Sequence, residues 1–241
     1  MDYFCITDTG LVREKNQDSY IAISNGYGDF LVLVADGIGG GKAGEVASGE
    51  TIKYFNDNFK GSGPFESIED AINYMSYHVN CANKRIYELS SRYEEYAGMG
   101  TTLTGVLLCS KGAVSINCGD SRVYGFVDDL CIHLTFDHTL VNQMLEKGQI
   151  TYEESLNHPK KHYLVKAIGI FPICNADVHK VKDMDYYLVC SDGLHAYVSD
   201  EEITKIVIDK NKSVQQKTED LKDLALLKGG FDNITIVLVK R

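Results

Sequence analysis

Short apolar runs separated by turn residues dominate the first third of the chain. YFCIT, SYIAIS and FLVLVA are rich in β-branched and aromatic residues and predict three strands. The glycine-rich turn DGIGGGKAG then leads into a predicted helix from about Glu45 to Phe59. A second helix is predicted after Ser67 and Asp70, which resemble a capping box, because apolar residues then recur every three or four positions.

Four more strand-like runs fill the middle of the chain: TTLTGVLLC, AVSINC, RVYGFV and CIHLT. The turns between them are short, which indicates antiparallel neighbours. A short helix is predicted around Leu140 to Lys147, ended by Gly148, and an irregular stretch follows through His158 and Phe171. We predict that residues 140–171 form a mobile flap.

The last third again alternates strands and helices. ADVHKV and YYLVCS predict strands, a helix begins at Ser199 with Glu202 in the capping position, and a second helix runs from about Val214 to Leu227 before the final strand ITIVLVK. FLVLVA, YYLVC and ITIVLV are apolar on both faces, so both sides of their sheets must be covered. These patterns predict an α+β fold, a four-layer α/β/β/α sandwich with two central antiparallel sheets flanked by helix pairs.

Composition favours a single domain over residues 1–241. The chain is 44% hydrophobic and 24% charged, and its three prolines mark no linker that would divide the core. Seven cysteines are scattered without C-x-x-C spacing, which predicts free buried thiols.

Charge and hydropathy limit the compartment and the kinds of partner that we expect for the chain. The chain has no signal-peptide pattern and no apolar run of the roughly 18 residues that span a bilayer, so we expect a cytoplasmic protein without a membrane partner. We also expect a monomer. A net charge of −10 with dispersed Lys and Arg argues against nucleic acid. A phosphate-bearing substrate would be repelled unless cations offset the carboxylates locally, which favours bound metal.

Four aspartates stand at the ends of strand-like runs, each beside glycine or asparagine. They are Asp36 in FLVLVADG, Asp120 in VSINCGDSR, Asp192 in YYLVCSDG and Asp232 in GGFDNITIVLV. A single Asp-Gly pair is ordinarily a turn, but several carboxylates collected at buried strand ends are costly without cations. Oxygen ligands of this kind suit Mn²⁺ or Mg²⁺, so the sequence predicts a metal-dependent hydrolase.

Phosphate-ester hydrolysis by two metal ions assigns these residues different tasks. One carboxylate bridges the ions, and the ions activate a shared water that attacks phosphorus. Asp36 is the natural bridge, since Gly37 beside it can turn a carbonyl towards a cation and residues 39–41, all glycine, let substrate approach the backbone. Asp120 is ambiguous, because it could equally pair with Arg122.

One arginine should grip the phosphate oxygens that the carboxylates would otherwise repel. Arg13 in GLVREKNQD lies between two predicted strands, near Asp18, where a loop brings it to the same edge. The alternative is a solvated loop arginine.

The ordered motifs resemble those of the metal-dependent protein serine/threonine phosphatases of the 2C type, especially compact bacterial members. They are TDTGLVREKNQDSY, VADGIGGGKAGEVAS, MGTTLTGVLL, NCGDSRVYGF, LTFDHTLVNQMLEKGQIT, HYLVKAIG, LVCSDGLHAYVSDEEI and GGFDNITIVLV. The resemblance runs from about Thr7 to Val239, which is nearly the whole chain.

The resemblance implies a metal centre at one edge of the sandwich. In it Asp36 bridges two Mn²⁺ or Mg²⁺ ions, Gly37 offers its carbonyl, and Asp192 and Asp232 ligate one ion. It further implies that Asp18 supports the metal-bound waters and that Arg13 holds the substrate phosphate. Asp120, with Asp192, would complete a weaker third site, and residues 140–171 would be the variable flap. Phosphorylated proteins and a cognate serine/threonine kinase are the implied partners.

Two departures from the family pattern bear on the mechanism. Gln17 stands where many members have glutamate, and the two positions where members carry a histidine are Ile38 and Gly41. The acid that protonates the leaving oxygen is therefore open between metal-bound water, His138 and His162. The missing histidine also motivates an alternative, a signalling scaffold without catalysis, and a small-molecule phosphoesterase or nuclease would share the same chemistry.

Overall fold

The computed structural model describes residues 1–38 and 43–241. In these residues the strands are β1 (Asp2–Asp8), β2 (Asp18–Ser24), β3 (Phe30–Ile38), β4 (Gly100–Thr101), β5 (Leu103–Cys109), β6 (Gly112–Cys118), β7 (Arg122–Val127), β8 (Leu130–His133), β9 (Asp177–Val181), β10 (Tyr186–Cys190) and β11 (Ile234–Lys240). The α-helices are α1 (Ala43–Phe59), α2 (Ile68–Arg92), α3 (Leu140–Glu146), α4 (Tyr152–Leu156), α5 (Asp192–His195), α6 (Asp200–Val207) and α7 (Val214–Leu227).

The strands form two antiparallel sheets. One has the order β1-β11-β10-β7-β8, and the other has the order β2-β3-β5-β6-β9, with β4 paired to β3. Their register brings chain segments together that are far apart in sequence: Asp2 of β1 lies opposite Lys240 of β11, and Asp18 of β2 lies opposite Asp36 of β3.

Three apolar clusters explain why the central strands are hydrophobic on both faces. On β3, Leu31 and Leu33 pack with α1 and α2 residues, whereas Val32 and Val34 point to the other sheet. β11 alternates in the same way: Ile234, Ile236 and Leu238 belong to the cluster with α6 and α7 residues, and Val237 and Val239 pack between the sheets. Helix, sheet, sheet and helix thus form four layers, and the predicted fold class is confirmed.

Local signals predicted most helix boundaries. Ser67 caps α2 by accepting a hydrogen bond from the backbone N–H of Asp70, and the capping boxes at Ser199 and Ser213 begin α6 and α7. None of the helices in the described chain is both long and apolar enough to cross a membrane.

Three predictions were incomplete. TTLTGVLLC forms two strands, because Thr102 leaves the ladder between β4 and β5. The stretch after Gly148, predicted to be irregular, contains α4, which Thr151 and Glu154 begin with a capping box. The cysteines are free thiols as predicted, but Cys5, Cys81 and Cys131 are only half-buried; four are buried.

The flap is joined to the sandwich at both of its ends. A β-bridge joins Thr139 to Leu164, and another joins Thr101 to Ile168. The Asn83 amide of α2 adds a third connection, since it accepts from the Gly169 N–H at 2.7 Å and donates to the Phe171 carbonyl at 2.9 Å. The flap therefore lies over one edge of the sandwich, and its mobility stays a prediction.

Candidate metal centre

The strand ends bring the predicted aspartates to one edge of the sandwich. Asp36 lies near the end of β3, opposite Asp18, the first residue of β2. Asp192 follows β10 and begins α5, and Asp232 directly precedes Asn233 and β11. Because β10 and β11 pair with Cys190 opposite Ile236, the two aspartates of that sheet come from adjacent strand ends.

These side chains meet at an open cleft of about 760 Å³. It is lined by Arg13, Gln17, Asp36, Gly37, Ile38, Thr102, Asp120, Asp192, Tyr197, Asp232 and Asn233, and on the flap side by His162 and residues 163–167, 170 and 171. The cleft thus contains all the predicted metal-binding residues and Arg13. Asp18 is not part of the lining and lies behind Asp36.

The carboxyl groups of the cleft lie close enough together for their charges to repel each other. Burial is the largest cause that raises the pKa of Asp36 well above its usual range, and the charges of Asp18, Asp192, Asp120 and Asp232 raise it further. Burial and the charge of Asp232 likewise raise the pKa of Asp192, which a hydrogen bond to the Asp36 carboxyl partly offsets. Carboxylates in such a group favour a nearby cation.

Asp18 is the support behind the cleft. Its Oδ2 accepts a hydrogen bond of 2.7 Å from the Ser191 hydroxyl, which fixes the carboxyl against the start of α5. Burial, and less strongly the charges of Asp192 and Asp232, raises the pKa of Asp18 to about 7. Ser191 was not predicted as a site residue, since only the folded chain brings it to Asp18.

The donor set fits hard divalent cations. Asp18 Oδ1 and Asp192 Oδ1 are buried and have no hydrogen-bond partner in the described part of the protein, and such oxygens are costly unless something positive satisfies them. Within residues 1–38 and 43–241, no three His, Cys, Asp or Glu groups close around a single point as a metal cage. The carboxylate oxygens at the cleft are nevertheless the kind of ligand that Mg²⁺ and Mn²⁺ prefer, together with retained waters.

The backbone around Asp36 is held on both sides. The Asp36 N–H donates to Thr102 Oγ1 at 2.9 Å, and the Asp36 carbonyl accepts from the Thr102 N–H at 2.8 Å and from the Thr101 hydroxyl at 2.9 Å. Thr102 leaves the β ladder to make these bonds, which explains the interrupted strand. Asp36 is therefore presented on a rigid support.

Gly37 sits where no larger residue fits. Its N–H donates to the Gln17 carbonyl at 3.1 Å, and a Cβ on Gly37 would overlap the backbone of Gly44 in α1. This close approach places Gly37 at the cleft wall. The three glycines at 39–41, predicted to admit substrate, lie outside the described residues, as does the family histidine position at 41.

Arg13 reaches the cleft from the loop between β1 and β2. Its Nη2 lies 2.7 Å from Asp232 Oδ2, and its side chain is 54% exposed, so a face of the guanidinium remains open to the cleft. Asn233, which sequence reasoning did not single out, holds this loop in place: its amide donates to the Thr9 and Lys15 carbonyls and accepts from the Gln17 N–H.

Asp120 does not pair with Arg122, the alternative that the sequence left open. Arg122 instead binds Asp137, with Nε and Nη2 contacts of 2.7–3.1 Å to both carboxylate oxygens. Burial and the charge of Asp192 raise the pKa of Asp120 to about 8, and its carbonyl contacts His195 Nε2 at 2.9 Å. Asp120 thus forms no ion pair with Arg122 and lies close enough to Asp192 for the charge of Asp192 to raise its pKa.

The two candidate histidines differ sharply. His138 is buried in structural contacts, since Nδ1 accepts from the Gly119 N–H at 3.1 Å and Nε2 lies 3.0 Å from Asp177. His162 lines the cleft, and its charge lowers the pKa of Asp192. His162, not His138, therefore lies near the carboxyl groups of the cleft.

The raised carboxyl pKa values predict an unusual pH dependence of stability without metal. Asp18 and Asp120 have pKa values of about 7 and about 8 when folded, against 3.8 for an ordinary aspartate. A raised carboxyl pKa contributes stability at low pH that is lost as pH rises through the folded value. We expect the Tm of chelator-treated protein to fall between pH 6 and pH 9, and Mg²⁺ to raise Tm more at pH 9.

Scanning calorimetry at both pH values, with and without Mg²⁺, checks this. Asp29→Asn is a matched control, because Asp29 is buried next to the opposite end of β3. The control should show the same pH dependence as the wild type. Equal Tm values at pH 6 and pH 9 in metal-free protein would contradict a repelling carboxyl cluster.

Comparison with known proteins accounts for this arrangement. The sequence profile described as Protein phosphatase 2C matches residues 12–225. The chain belongs to the protein phosphatase 2C family. A relative from Streptococcus pyogenes, described as a putative protein phosphatase 2C-type, is 37% identical over 97% of this chain and 94% of its own length.

Solved structures of the family agree with the fold. The serine/threonine phosphatase Stp1 from Staphylococcus aureus is similar with a TM-score of 0.93 and 33% identity, covering 99% of this chain and 94% of that one. The PPM Ser-Thr phosphatase MsPP from Mycobacterium smegmatis, solved in complex with cacodylate, has a TM-score of 0.83 and 31% identity, covering 100% and 98%. The family is metal-dependent, and the cleft described above offers the oxygen ligands for it.

Proposed function

We propose that this family member hydrolyses phosphoserine and phosphothreonine in proteins with the help of Mn²⁺ or Mg²⁺. One observation carries the proposal: a half-exposed arginine stands 2.7 Å from Asp232 at the mouth of a cleft whose floor holds mutually repelling carboxyls. Such a cleft binds a dianionic phosphate only if cations offset the acidic groups, and the arginine then supplies a directional contact.

The residues divide into metal-holding and supporting groups. Asp36, the Gly37 carbonyl, Asp192 and Asp232 would hold two ions, and Asp120 with Asp192 would hold a weaker third. When bound, the ions supply a water activated at neutral pH and a clamp on the phosphate oxygens. Thr101 and Thr102 fix the backbone of Asp36, so its carboxylate would be held in place as a ligand shared by the ions.

Arg13 and Asp18 act on substrate and water. The open face of the Arg13 guanidinium would donate to non-bridging phosphate oxygens while Asp232 holds its other edge. Asp18, oriented by Ser191, has a buried Oδ1 without a hydrogen-bond partner in the described residues, and this oxygen would accept a hydrogen bond or a proton from a metal-bound water. Among the described histidines, His162 on the flap lines this cleft, and it would protonate the leaving oxygen if no metal-bound water does so.

Several finer features belong to the same proposal. Residues 1–241 would work as one domain, since both sheets and the flap contribute to a single cleft. The protein would act as a cytoplasmic monomer on phosphoproteins made by a cognate serine/threonine kinase. The serine/threonine phosphatase names of its relatives support this substrate class.

Release of phosphate from a phosphothreonine peptide tests the function. We expect turnover that depends on Mn²⁺ and disappears with chelator, because the cleft repels phosphate without cations. Parallel assays on nucleotides and single-stranded DNA measure selectivity, and we expect far lower turnover on both. Tight phosphopeptide binding without release would favour the catalytically idle scaffold, and preferred turnover of nucleotides would favour a small-molecule phosphoesterase.

A further inference from the structure

Two buried cysteines from distant parts of the chain face each other beside the metal centre. Cys118 ends β6, and Cys174 lies in the segment between the flap and β9. Their sulfur atoms are 3.2 Å apart although 56 residues separate them in sequence. Both are free thiols, and both are buried.

The surrounding ladder holds this pair in register. β6 and β9 are neighbouring strands, and Asn117 lies opposite Asp177, so the backbones that carry the two cysteines are already paired one to three residues away. A disulfide, with its bond of about 2.05 Å, then needs only a short approach of the sulfurs and no rearrangement of the sheet. The other cysteines of the chain have no such partner among the hydrogen bonds of the described residues.

We propose that Cys118 and Cys174 are a redox-modification site, which hydrogen peroxide converts into an intramolecular disulfide that thiols reduce again. Disulfides in reducing compartments are mostly transient and redox-sensing. Oxidant reaches Cys174 by a local opening of its segment, whose neighbours Phe171 and Ile173 are already exposed.

The chemistry involves two electrons and one peroxide. The Cys174 thiolate attacks a peroxide oxygen, the O–O bond breaks, and the departing hydroxide takes a proton to become water. The Cys118 thiol then attacks the resulting sulfenic sulfur, the S–S bond forms, and a second water leaves with the hydroxyl and the thiol proton. Cys174 suits the first role, because it lies in a segment next to the exposed Ile173, whereas Cys118 is held within β6.

Oxidation of the two cysteines would change the geometry of the cleft through Gly119. Gly119 follows Cys118, precedes Asp120, and has its N–H bonded to His138 Nδ1 at 3.1 Å. It packs against Thr102, which holds the backbone of Asp36: a Cβ on Gly119 would overlap the Thr102 side chain. A pull on Cys118 therefore displaces Asp120 and presses on the support of Asp36.

Peptide mapping after treatment with hydrogen peroxide tests the site itself. Trypsin isolates Cys118 in residues 112–122 and Cys174 in residues 167–180, so we expect one disulfide-linked pair of these peptides that dithiothreitol separates. Cys174→Ser should abolish the pair. Cys109→Ser, which alters another buried cysteine of the same core cluster, should leave it intact. Oxidation confined to other cysteines, or sulfinic acid at Cys174 without the linked pair, would overturn the proposal.

The effect on turnover is a second measurement, which rests on the proposed function. We expect the linked protein to hydrolyse phosphopeptide about tenfold more slowly, since small displacements near reacting groups have large effects on rate. Dithiothreitol should restore the rate, and Cys174→Ser should be insensitive to peroxide. A linked protein with unchanged turnover would refute the coupling to the cleft. The mapping result stands independently if the protein proves to have another activity.

Discussion

Asp36→Asn is expected to lower the Mn²⁺-dependent kcat/KM for a phosphothreonine peptide by at least about 10³-fold and, at the same time, to raise the Tm of the metal-free protein. The first effect follows from losing the carboxylate that we propose as a ligand shared by two ions. The second follows because Asn removes one of the charges that repel each other at the cleft floor. Opposite changes in activity and stability are typical of functional carboxyl clusters.

Asp29→Asn is the matched control for this variant. Asp29 is 3% exposed and accepts a hydrogen bond from Asn25 at 2.9 Å, away from the cleft. It should keep its activity and lose stability, the reverse of Asp36→Asn. Calorimetry at pH 8 with chelator and steady-state kinetics with Mn²⁺ provide the two measurements. Near-normal turnover of Asp36→Asn would remove Asp36 from the metal centre.

Arg13→Ala is expected to lower kcat/KM by about 10²-fold, because the phosphate loses its directional contact. The exposed ion pair with Asp232 contributes little to stability, so the free energy of unfolding should change by less than about 1 kcal/mol. Arg13→Lys should recover only part of the rate, since an ammonium group cannot donate to phosphate and Asp232 in the same planar way.

Lys15→Ala tests whether charge alone explains the result. Lys15 lies on the same exposed loop, two residues from Arg13, and the substitution removes the same unit of charge. We expect its kcat/KM to stay within about twofold of wild type at physiological salt, where exposed charges are screened. If both variants lose activity equally, Arg13 acts only through the general field of the loop.

The fold was predictable because its signals are local or periodic. Strands apolar on both faces, such as FLVLVA, require cover on both sides, and the three apolar clusters supply it. The capping residues Ser67 and Ser199 fixed helix starts in the same way. The aspartates at the strand ends were predictable for a related reason. A residue that directly precedes or follows a strand lies at the edge of the sheet where that strand begins or ends.

What sequence reasoning missed depends on contacts between distant segments. The sequence pattern predicts Thr102 to be part of one continuous strand. Its hydrogen bonds to Asp36 explain why that strand is interrupted between β4 and β5. Ser191 and Asn233 look like ordinary turn residues until the fold brings them to Asp18 and to the Arg13 loop. The choice of Arg122 between Asp120 and Asp137 depended likewise on packing that no local pattern contains.

The position of β11 has a consequence for how the protein matures on the ribosome. This strand lies between β1 and β10, so β1 cannot join the first sheet until residues 234–240 have been synthesised. Asp232, which directly precedes the strand, is synthesised at the same stage. Pairing across more than two hundred residues is entropically slow and follows the local helices. A nascent chain lacking this segment can form the β2-β3-β5-β6-β9 sheet with α1 and α2 but no complete metal centre. Activity is therefore gained late, after the rest of the sandwich has had time to assemble.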